Sequence, residues 1–221
     1  MGLYIPGYEI EHFALLTTAD IHDVFGDNSV IATYKFDGDA TDLGGNYNGT
    51  WDTNETYDTG FINQAAKFNN NGITFSGIPL LSDGAVSFFA NFSTYYANYS
   101  RLLSIGGYDY NVEGWNIFIE DTGEINLANQ SNYSGTGVYI NRNTDYHIVF
   151  NFSNSSDFEI YVNKENLANQ NNSFNTPHDT LEIGYPNNNK SFDGIIDQFR
   201  LFNRPLTQTE IDTLYDEGFG A

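Results

Sequence analysis

The sequence contains no cysteine, so no disulfide supports its fold, and basic residues are scarce as well. Only 8 Lys and Arg residues stand against 29 Asp and Glu residues, which gives a formal net charge of -21. Nucleic acids and anionic membrane surfaces bind clusters of positive charge, so the composition argues against both as partners. The acidity fits a protein that stays soluble in salty surroundings, and it also fits one that binds cations or a basic partner surface.

Long apolar runs are missing too. No stretch of about 18 apolar residues could span a membrane. Residues 1–6 have neither the basic segment nor the apolar stretch of a Sec signal peptide. We therefore expect no membrane insertion and no export by that route.

Catalytic motifs are also lacking. The four histidines are scattered without metal-ligand spacing, and no Ser lies in a Gly-x-Ser-x-Gly elbow. Retaining glycosidases need two carboxylates about 5–5.5 Å apart, which alternate positions of one strand supply. Here Glu120 and Asp121 fall in a predicted turn with Glu124 beyond it, and Glu159 stands alone on its strand. We expect no enzyme, and a glycoside hydrolase is the less favoured alternative.

What the sequence does contain favours strands. Aromatic residues make up 16% of its 221 residues, and this length suits a single β-sandwich. From Val30 onwards, short runs of strand-forming residues alternate with turns rich in Gly, Asn and Asp. The pattern predicts an all-β sandwich of two antiparallel sheets, with strands at 30–36, 65–68, 73–75, 85–92, 102–105, 115–119, 124–127, 146–152, 157–162, 180–183 and 194–202.

The two ends of the sequence differ from this pattern. Thr207 and Glu210 form a capping box, and apolar residues follow at helical spacing up to Gly218, so one short C-terminal helix is predicted. Residues 1–29 lack a clear period and end in a cluster of turn formers. We interpret 1–29 as an N-terminal arm and 30–221 as the sandwich domain. The arm either packs along the sandwich or docks onto another protein.

The order of these pieces resembles the laminin G-like, concanavalin A-like superfamily found in bacterial and bacteriophage proteins. The most specific part is residues 192–206, FDGIIDQFRLFNRPL, which run into the capped helix; residues 34–38, YKFDG, and 60–68, GFINQAAKF, resemble the opening elements. Residues 87–90, SFFA, stand where the family usually has a strand with Trp. The resemblance covers residues 30 to 218 and implies a jelly-roll sandwich. Eukaryotic secreted members often carry a disulfide, so the lack of cysteine favours a bacterial or viral source.

A structural Ca²⁺ is the metal that this resemblance implies. Asp37 and Asp42 lie in the first loop and Asp197 on a late strand that the fold is expected to bring near the first. Carboxylates and carbonyls from loops are typical Ca²⁺ ligands. The alternative is that Asp37 and Asp42 cap turns, while Asp197 pairs with Arg200 or a backbone amide.

Tyrosines in polar, Asn- and Gly-rich segments are the candidate ligand-binding residues, because their rings join an apolar face to a polar tip. They are Tyr95, Tyr96, Tyr99, Tyr108, Tyr110 and Tyr133. The expected function is non-catalytic recognition or structure: a virion-associated bacteriophage protein, such as a capsid decoration, tail or fibre component, that docks to virion proteins through residues 1–29, binds glycans or a host surface, and is capable of self-association. The alternative is a stand-alone carbohydrate-binding module of a bacterial surface protein, located outside the cell.

Overall fold

The computed structural model describes residues 21–95, 100–105, 115–129, 133–153, 157–171, 179–184 and 192–220. These residues form two antiparallel sheets and one helix. The eight-stranded sheet contains β1 (Val30–Tyr34), β3 (Tyr57–Thr59), β4 (Gln64–Asn69), β6 (Gly84–Thr94), β11 (Asp145–Phe152), β12 (Asp157–Val162), β13 (Glu165–Asn171) and β15 (Asp193–Phe202). The seven-stranded sheet contains β2 (Thr50–Trp51), β5 (Gly72–Ser76), β7 (Ser100–Ile105), β8 (Trp115–Ile119), β9 (Glu124–Asn129), β10 (Tyr133–Tyr139) and β14 (Thr180–Gly184).

The strand order confirms the predicted sandwich of two antiparallel sheets. The eight-stranded sheet runs β13-β12-β11-β6-β15-β4-β3, with β1 also paired to β15, and the seven-stranded sheet runs β10-β9-β8-β7-β14-β5-β2. The predicted strands 115–119 and 124–127 pair as the hairpin β8–β9, and 146–152 and 157–162 pair as β11–β12. The first and last strands meet as expected, with Tyr34 opposite Phe199.

Alternation along the strands builds the core between the sheets. Every second side chain of a strand points to the same face, so each sheet turns one apolar face inward. Aromatic rings fill the centre of this core. The ring centroids of Tyr34 and Phe75 are 4.3 Å apart. The Phe199 ring contacts those of Phe75 and Phe88, at centroid distances of 6.2 and 5.9 Å. Trp115, on β8, is fully buried as well.

The C-terminal helix, α1 (Gln208–Phe219), covers part of the outer face of the eight-stranded sheet. Its predicted capping box is present, with reciprocal hydrogen bonds between Thr207 and Glu210. Ile211 and Leu214 are buried against Phe202 and other outward-facing residues of that sheet. The helix ends at Phe219, one residue past Gly218, and the glycine lies within it where a Cβ would come within 2.6 Å of the Phe89 ring.

The described part of the arm, residues 21–29, packs beside α1 on the outer face of the eight-stranded sheet. Phe25 stacks on Phe202 at 5.7 Å between ring centroids. Arg204 links the arm to the helix through ion pairs with Asp27 and Glu210, both at 2.5 Å. These contacts are those of the packed alternative; residues 1–20 lie outside the described residues. No helix in the described ranges is long and apolar enough to cross a membrane.

Candidate functional site

The predicted ligand-binding tyrosines fall into three groups. Tyr96, Tyr99, Tyr108 and Tyr110 lie outside the described residues. Tyr95 is 4% exposed and donates its hydroxyl hydrogen bond to the Ile140 carbonyl at 3.2 Å. Burial raises the pKa of Tyr95 to about 12. A ring inside the sandwich cannot stack on a ligand, so Tyr95 is a core residue. Tyr133 is 49% exposed, so its ring is accessible to a ligand.

Tyr133 belongs to the outer face of the seven-stranded sheet. Since Ile117, Ile125 and Leu127 point into the core, the residues between them point outward. Cross-strand pairing then places outward-facing residues in rows across the sheet. One row is Tyr133, Ala128, Asn116, Ser104 and Glu182, and the next is Gly135, Asn126, Phe118 and Arg101.

The edge of this face carries two tyrosine–glutamate pairs. Tyr133 donates a hydrogen bond to Glu120, and Tyr139 donates one to Glu124 at 3.3 Å. The Glu124 charge raises the pKa of Tyr139. Glu124 also accepts the Gly137 backbone amide at 2.9 Å, so its carboxylate is fixed. Each carboxylate orients a phenol by its hydroxyl, while Tyr133 and Tyr139 remain 49% and 59% exposed.

Sequence reasoning missed Tyr139 and the role of both glutamates. Glu120 and Glu124 were considered only as catalytic carboxylates, and the glycines at 135 and 137 made this segment resemble a loop. The sequence did contain a signal for a strand. Residues 133, 135, 137 and 139 are alternate positions, which share one face of a strand, and the first and last of them are tyrosines.

Further in from the edge, the same face is polar and largely buried. Arg101, 4% exposed, lies over the Phe118 ring at 5.6 Å from its centroid. Asn126 is also buried and donates to the Glu124 carbonyl at 3.2 Å. Burial raises the pKa of Glu182, and the Arg101 charge opposes that shift. Further in from the exposed tyrosine rings, this face therefore carries the amide of Asn126, the carboxylate of Glu182 and the guanidinium of Arg101.

Of the predicted metal ligands, Asp42 has its carboxylate occupied by the backbone. It is 1% exposed and accepts the amides of Thr33, Gly44, Asn46 and Tyr47 at 3.0 to 3.3 Å. These bonds shape the first loop in the way that the turn-capping alternative described. Both carboxylate oxygens of Asp42 thus have backbone partners, and Oδ1 also lies 3.8 Å from His22 Nδ1.

Asp37 and Asp197 hold a different segment, residues 60–64. Asp197 Oδ2 accepts the amides of Phe61 and Ile62 at 2.8 and 2.9 Å, and Asp37 Oδ1 accepts the amide of Gln64 at 3.0 Å. Burial raises the pKa of Asp197 to about 7, and the nearby Asp37 charge adds to the shift. Among the described residues, Asp197 Oδ1 has no hydrogen-bond partner. Within that same part of the chain, no three His, Cys, Asp or Glu side chains form a group that could hold a metal ion.

A second polar cluster lies beneath α1. Ser87 Oγ and His147 Nε2 are 2.8 Å apart, and Arg200 pairs with Glu217 of the helix at 2.6 Å. Arg200 thus pairs with Glu217 and not with Asp197. Burial lowers the pKa of His147 to about 3, and the Arg200 charge contributes. All four side chains are nearly inaccessible to solvent, so this cluster supports the helix.

The strand order and the capped helix agree with a family model. Residues 63–212, more than half of the chain, match the model of the concanavalin A-like lectin/glucanases superfamily. The chain belongs to this superfamily. The matched range of the superfamily runs from the loop held by Asp197 into α1. The comparison with curated protein sequences found no match.

Solved structures share the superfamily fold at low sequence identity. Domain 4 of the extracellular GH43 arabinanase AbnA from Geobacillus stearothermophilus, in complex with arabinotriose, is 19% identical with a TM-score of 0.71, over 86% of this chain and 98% of that one. The binding domain of Paraclostridial Mosquitocidal Protein 1 is 18% identical with a TM-score of 0.72, over 87% and 53%. Trypanosoma rangeli sialidase is 15% identical with a TM-score of 0.66, over 85% of this chain and 32% of its own. At these identities the likeness concerns the fold.

Proposed function

We propose that the chain is a non-catalytic carbohydrate-recognition domain whose glycan contacts lie on the outer face of the seven-stranded sheet. The observation that carries this proposal is the pair of exposed rings, Tyr133 and Tyr139, each oriented by a glutamate. An exposed ring gives the apolar face of a sugar a surface to stack on. The neighbouring Glu120 and Glu124 carboxylates supply hydrogen-bond acceptors for its hydroxyls.

The similar structures support a saccharide as ligand. One of them, domain 4 of the arabinanase, was solved with arabinotriose, and this chain covers 98% of that domain. Two others are binding domains of toxins, from Paraclostridial Mosquitocidal Protein 1 and botulinum neurotoxin serotype D. Domains with this fold therefore serve as binding domains in other proteins.

Calorimetric titration with a panel of neutral oligosaccharides, arabinotriose included, tests the proposal. We expect saturable binding that Tyr139→Ala weakens at least about tenfold, since stacking on an aromatic ring contributes on the order of 1–2 kcal/mol. Leu167→Ala is the matched control, because Leu167 is 47% exposed on a strand of the other sheet. Equal binding by Tyr139→Ala and the wild type would place the ligand elsewhere.

The non-catalytic character has its own test. Glu120 and Glu124 oppose each other across a hairpin turn, with a backbone hydrogen bond of 2.9 Å between them, and so face the same side. Both carboxylates already accept tyrosine hydroxyls, which suits positioning of the rings. We expect no release of reducing sugar from any bound oligosaccharide. Hydrolysis that disappears in Glu124→Gln would establish an enzyme instead.

The virion role, with docking through residues 1–29 and self-association, stays a prediction. Light-scattering mass of the full chain and of a chain beginning at Ile21 tests it, because this cut keeps the packed residues 21–29. Assembly of the full chain alone would favour docking by residues 1–20. Two well-folded monomers would favour the stand-alone module.

A structural Ca²⁺ remains part of the proposal, at Asp37 and Asp197 without Asp42. Two nearby carboxylates, one with a buried and unpartnered oxygen, fit part of the oxygen set that this ion takes. We expect CaCl₂ to raise the midpoint of thermal unfolding relative to EDTA in the wild type and in Asp58→Asn, but not in Asp197→Asn. An equal rise in all three proteins would exclude this site.

A further inference from the structure

Helix α1 covers only part of the outer face of the eight-stranded sheet. Beside it lies an open groove of about 470 Å³. Its floor is made by β6, β15, β4 and β3, which are consecutive in the sheet. This face is turned away from the one that carries Tyr133 and Tyr139.

Three residues cross the floor in strict register, and a fourth, Asp145, lies on the next strand, β11, beside the groove. Asp145 is opposite Asn91, Asn91 is opposite Ile195, and Ile195 is opposite Lys67. Neighbouring strands are about 4.8 Å apart, so the side chains of Asn91 and Lys67 start roughly 10 Å from each other. Ile195, half-buried, lies midway between them and gives the floor an apolar centre.

Each side of the groove carries one hydrogen-bond donor next to one acceptor. On one side Asn91 Nδ2 donates to Asp145 Oδ1 at 2.6 Å, and on the other Lys67 Nζ lies 2.7 Å from Asp58 Oδ2. The Lys67–Asp58 pair is about half exposed, at 48% and 49%. The hydrogen bond from Lys67 lowers the pKa of Asp58, so this carboxylate is an acceptor at neutral pH.

A vicinal diol is complementary to such a pair. One of its hydroxyls donates to the carboxylate while its neighbour accepts from the amide or the ammonium group. Carboxylates on both sides repel an anionic ligand, and the net charge of -21 adds to the repulsion. Among the described residues that line the groove, the one aromatic ring, Phe68, is fully buried in the core and is not available for stacking. The lining therefore selects a small, neutral polyol.

We propose that this groove is a second saccharide site, in which the Asp145–Asn91 and Asp58–Lys67 pairs hold vicinal hydroxyls of one neutral sugar ring above Ile195. The class of ligand rests on the proposed function, whereas the location does not. Two sites on opposite faces allow one domain to bridge two glycan chains. Linked binding of this kind raises apparent affinity without any further contact.

Backbone amide shifts in NMR spectra locate binding at either face separately. The probes are methyl α-mannopyranoside, methyl β-galactopyranoside and methyl β-xylopyranoside, each compared with its fully O-methylated form. We expect shifts at residues 67, 91 and 193–195 for at least one free glycoside and none for its methylated form. Asn91→Ala and Lys67→Ala should each weaken this binding at least about tenfold.

Lys164→Ala is the matched control, because Lys164 forms another surface ion pair, with Asp216 at 2.6 Å. Its groove affinity should equal that of the wild type. Shifts confined to residues 116–139 would overturn the groove site and leave the proposed function standing. Shifts confined to the groove would support the groove and overturn the proposed location on the seven-stranded sheet. No shift with any probe at high millimolar concentration would overturn both.

Discussion

The two outer faces of the sandwich obey the same alternation of side chains but carry different residues. Under α1, the eight-stranded sheet turns Val149 and Phe202 outward, and a helix must cover them. At the edge of the seven-stranded sheet, Tyr133 and Tyr139 stay exposed beside glutamates. Apolar residues at outward positions thus indicate a covering element, and aromatic residues next to polar partners indicate recognition.

The polar groups on the two faces also differ in how far they are shielded from water. Beneath the helix, Ser87, His147, Arg200 and Glu217 bond to one another and are shielded from water. Their partners are internal, so changes there should act on stability. The exposed tyrosines are hydrogen-bonded through their hydroxyls, and their rings face solvent. Substitutions of these tyrosines should therefore change ligand binding. Five predictions test this division.

The largest effect is expected from Glu217→Ala. It leaves the Arg200 guanidinium charged, buried and without its partner, which costs about 3–5 kcal/mol of unfolding free energy. Urea denaturation at pH 7 measures it. Asp58→Ala, which removes a half-exposed partner of Lys67, should cost below about 1 kcal/mol. Similar losses in the two variants would erase the distinction between covered and open faces.

His147 makes stability depend on pH. Its pKa of about 3 in the folded chain lies below the ordinary value of 6.5, so the unfolded chain takes up a proton first as the pH falls. The stabilisation is complete above pH 6.5 and is lost progressively below it, by about 3 kcal/mol at pH 4. Between pH 7 and pH 4, His147→Phe should therefore lose less stability than the wild type in urea denaturation. Equal losses would show that His147 does not titrate as its burial requires.

Asn151→Ala should cost about 1–3 kcal/mol. The Asn151 amide donates to the Leu206 carbonyl and accepts the Leu206 amide, both at 2.9 Å, and so fixes the chain where it enters α1. Its removal leaves two buried backbone groups unpaired. Denaturation midpoints compared with Asn203→Ala, at an exposed position nearby, measure the cost. A loss no larger than in that control would mean that the chain enters the helix without this support.

Thr207→Ala removes the helix cap and should cost about 1 kcal/mol. Thr207→Ser keeps the hydroxyl and should be close to the wild type. Helix α1 packs on the sheet, so the loss should appear in global unfolding and not only as fraying. Identical midpoints for the two variants would show that packing alone holds the helix.

The smallest effect on stability is expected from Tyr139→Ala, within about 0.5 kcal/mol, because the ring is 59% exposed. The same variant should lose saccharide binding. A large loss of stability would make Tyr139 a structural residue and would remove the contrast between the two faces.

Local patterns made much of this fold predictable. The capping box of Thr207 and Glu210 and the strands of the two hairpins are short-range signals, and all are confirmed. The short strands β2 and β3 and the Gly- and Asn-rich strands β10 and β13 were missed, because their pairing depends on distant partners. Periodicity could not separate Tyr95 from Tyr133 either, since exposure is decided by tertiary packing.

The candidate site was less predictable for a related reason. The rows that join Tyr133 to Glu182 and Asp145 to Lys67 run across strands that are far apart in sequence. The metal prediction joined Asp42 to Asp37 and Asp197 because they are near one another in sequence or topology. The backbone amides that Asp42 accepts could not be inferred without coordinates.

The position of β15 also governs how the chain reaches its native state. This strand is paired with β6 along one side and with β4 and β1 along the other, so it lies inside the eight-stranded sheet. During synthesis, β1, β4 and β6 emerge long before their shared partner, with unpaired edges that are prone to aggregation. The sheet closes only after residue 202 has left the ribosome, and such long-range closure is slow. The sheet therefore cannot complete its pairing until β15 is available, and chaperones that shield strand edges should raise the yield of folded protein.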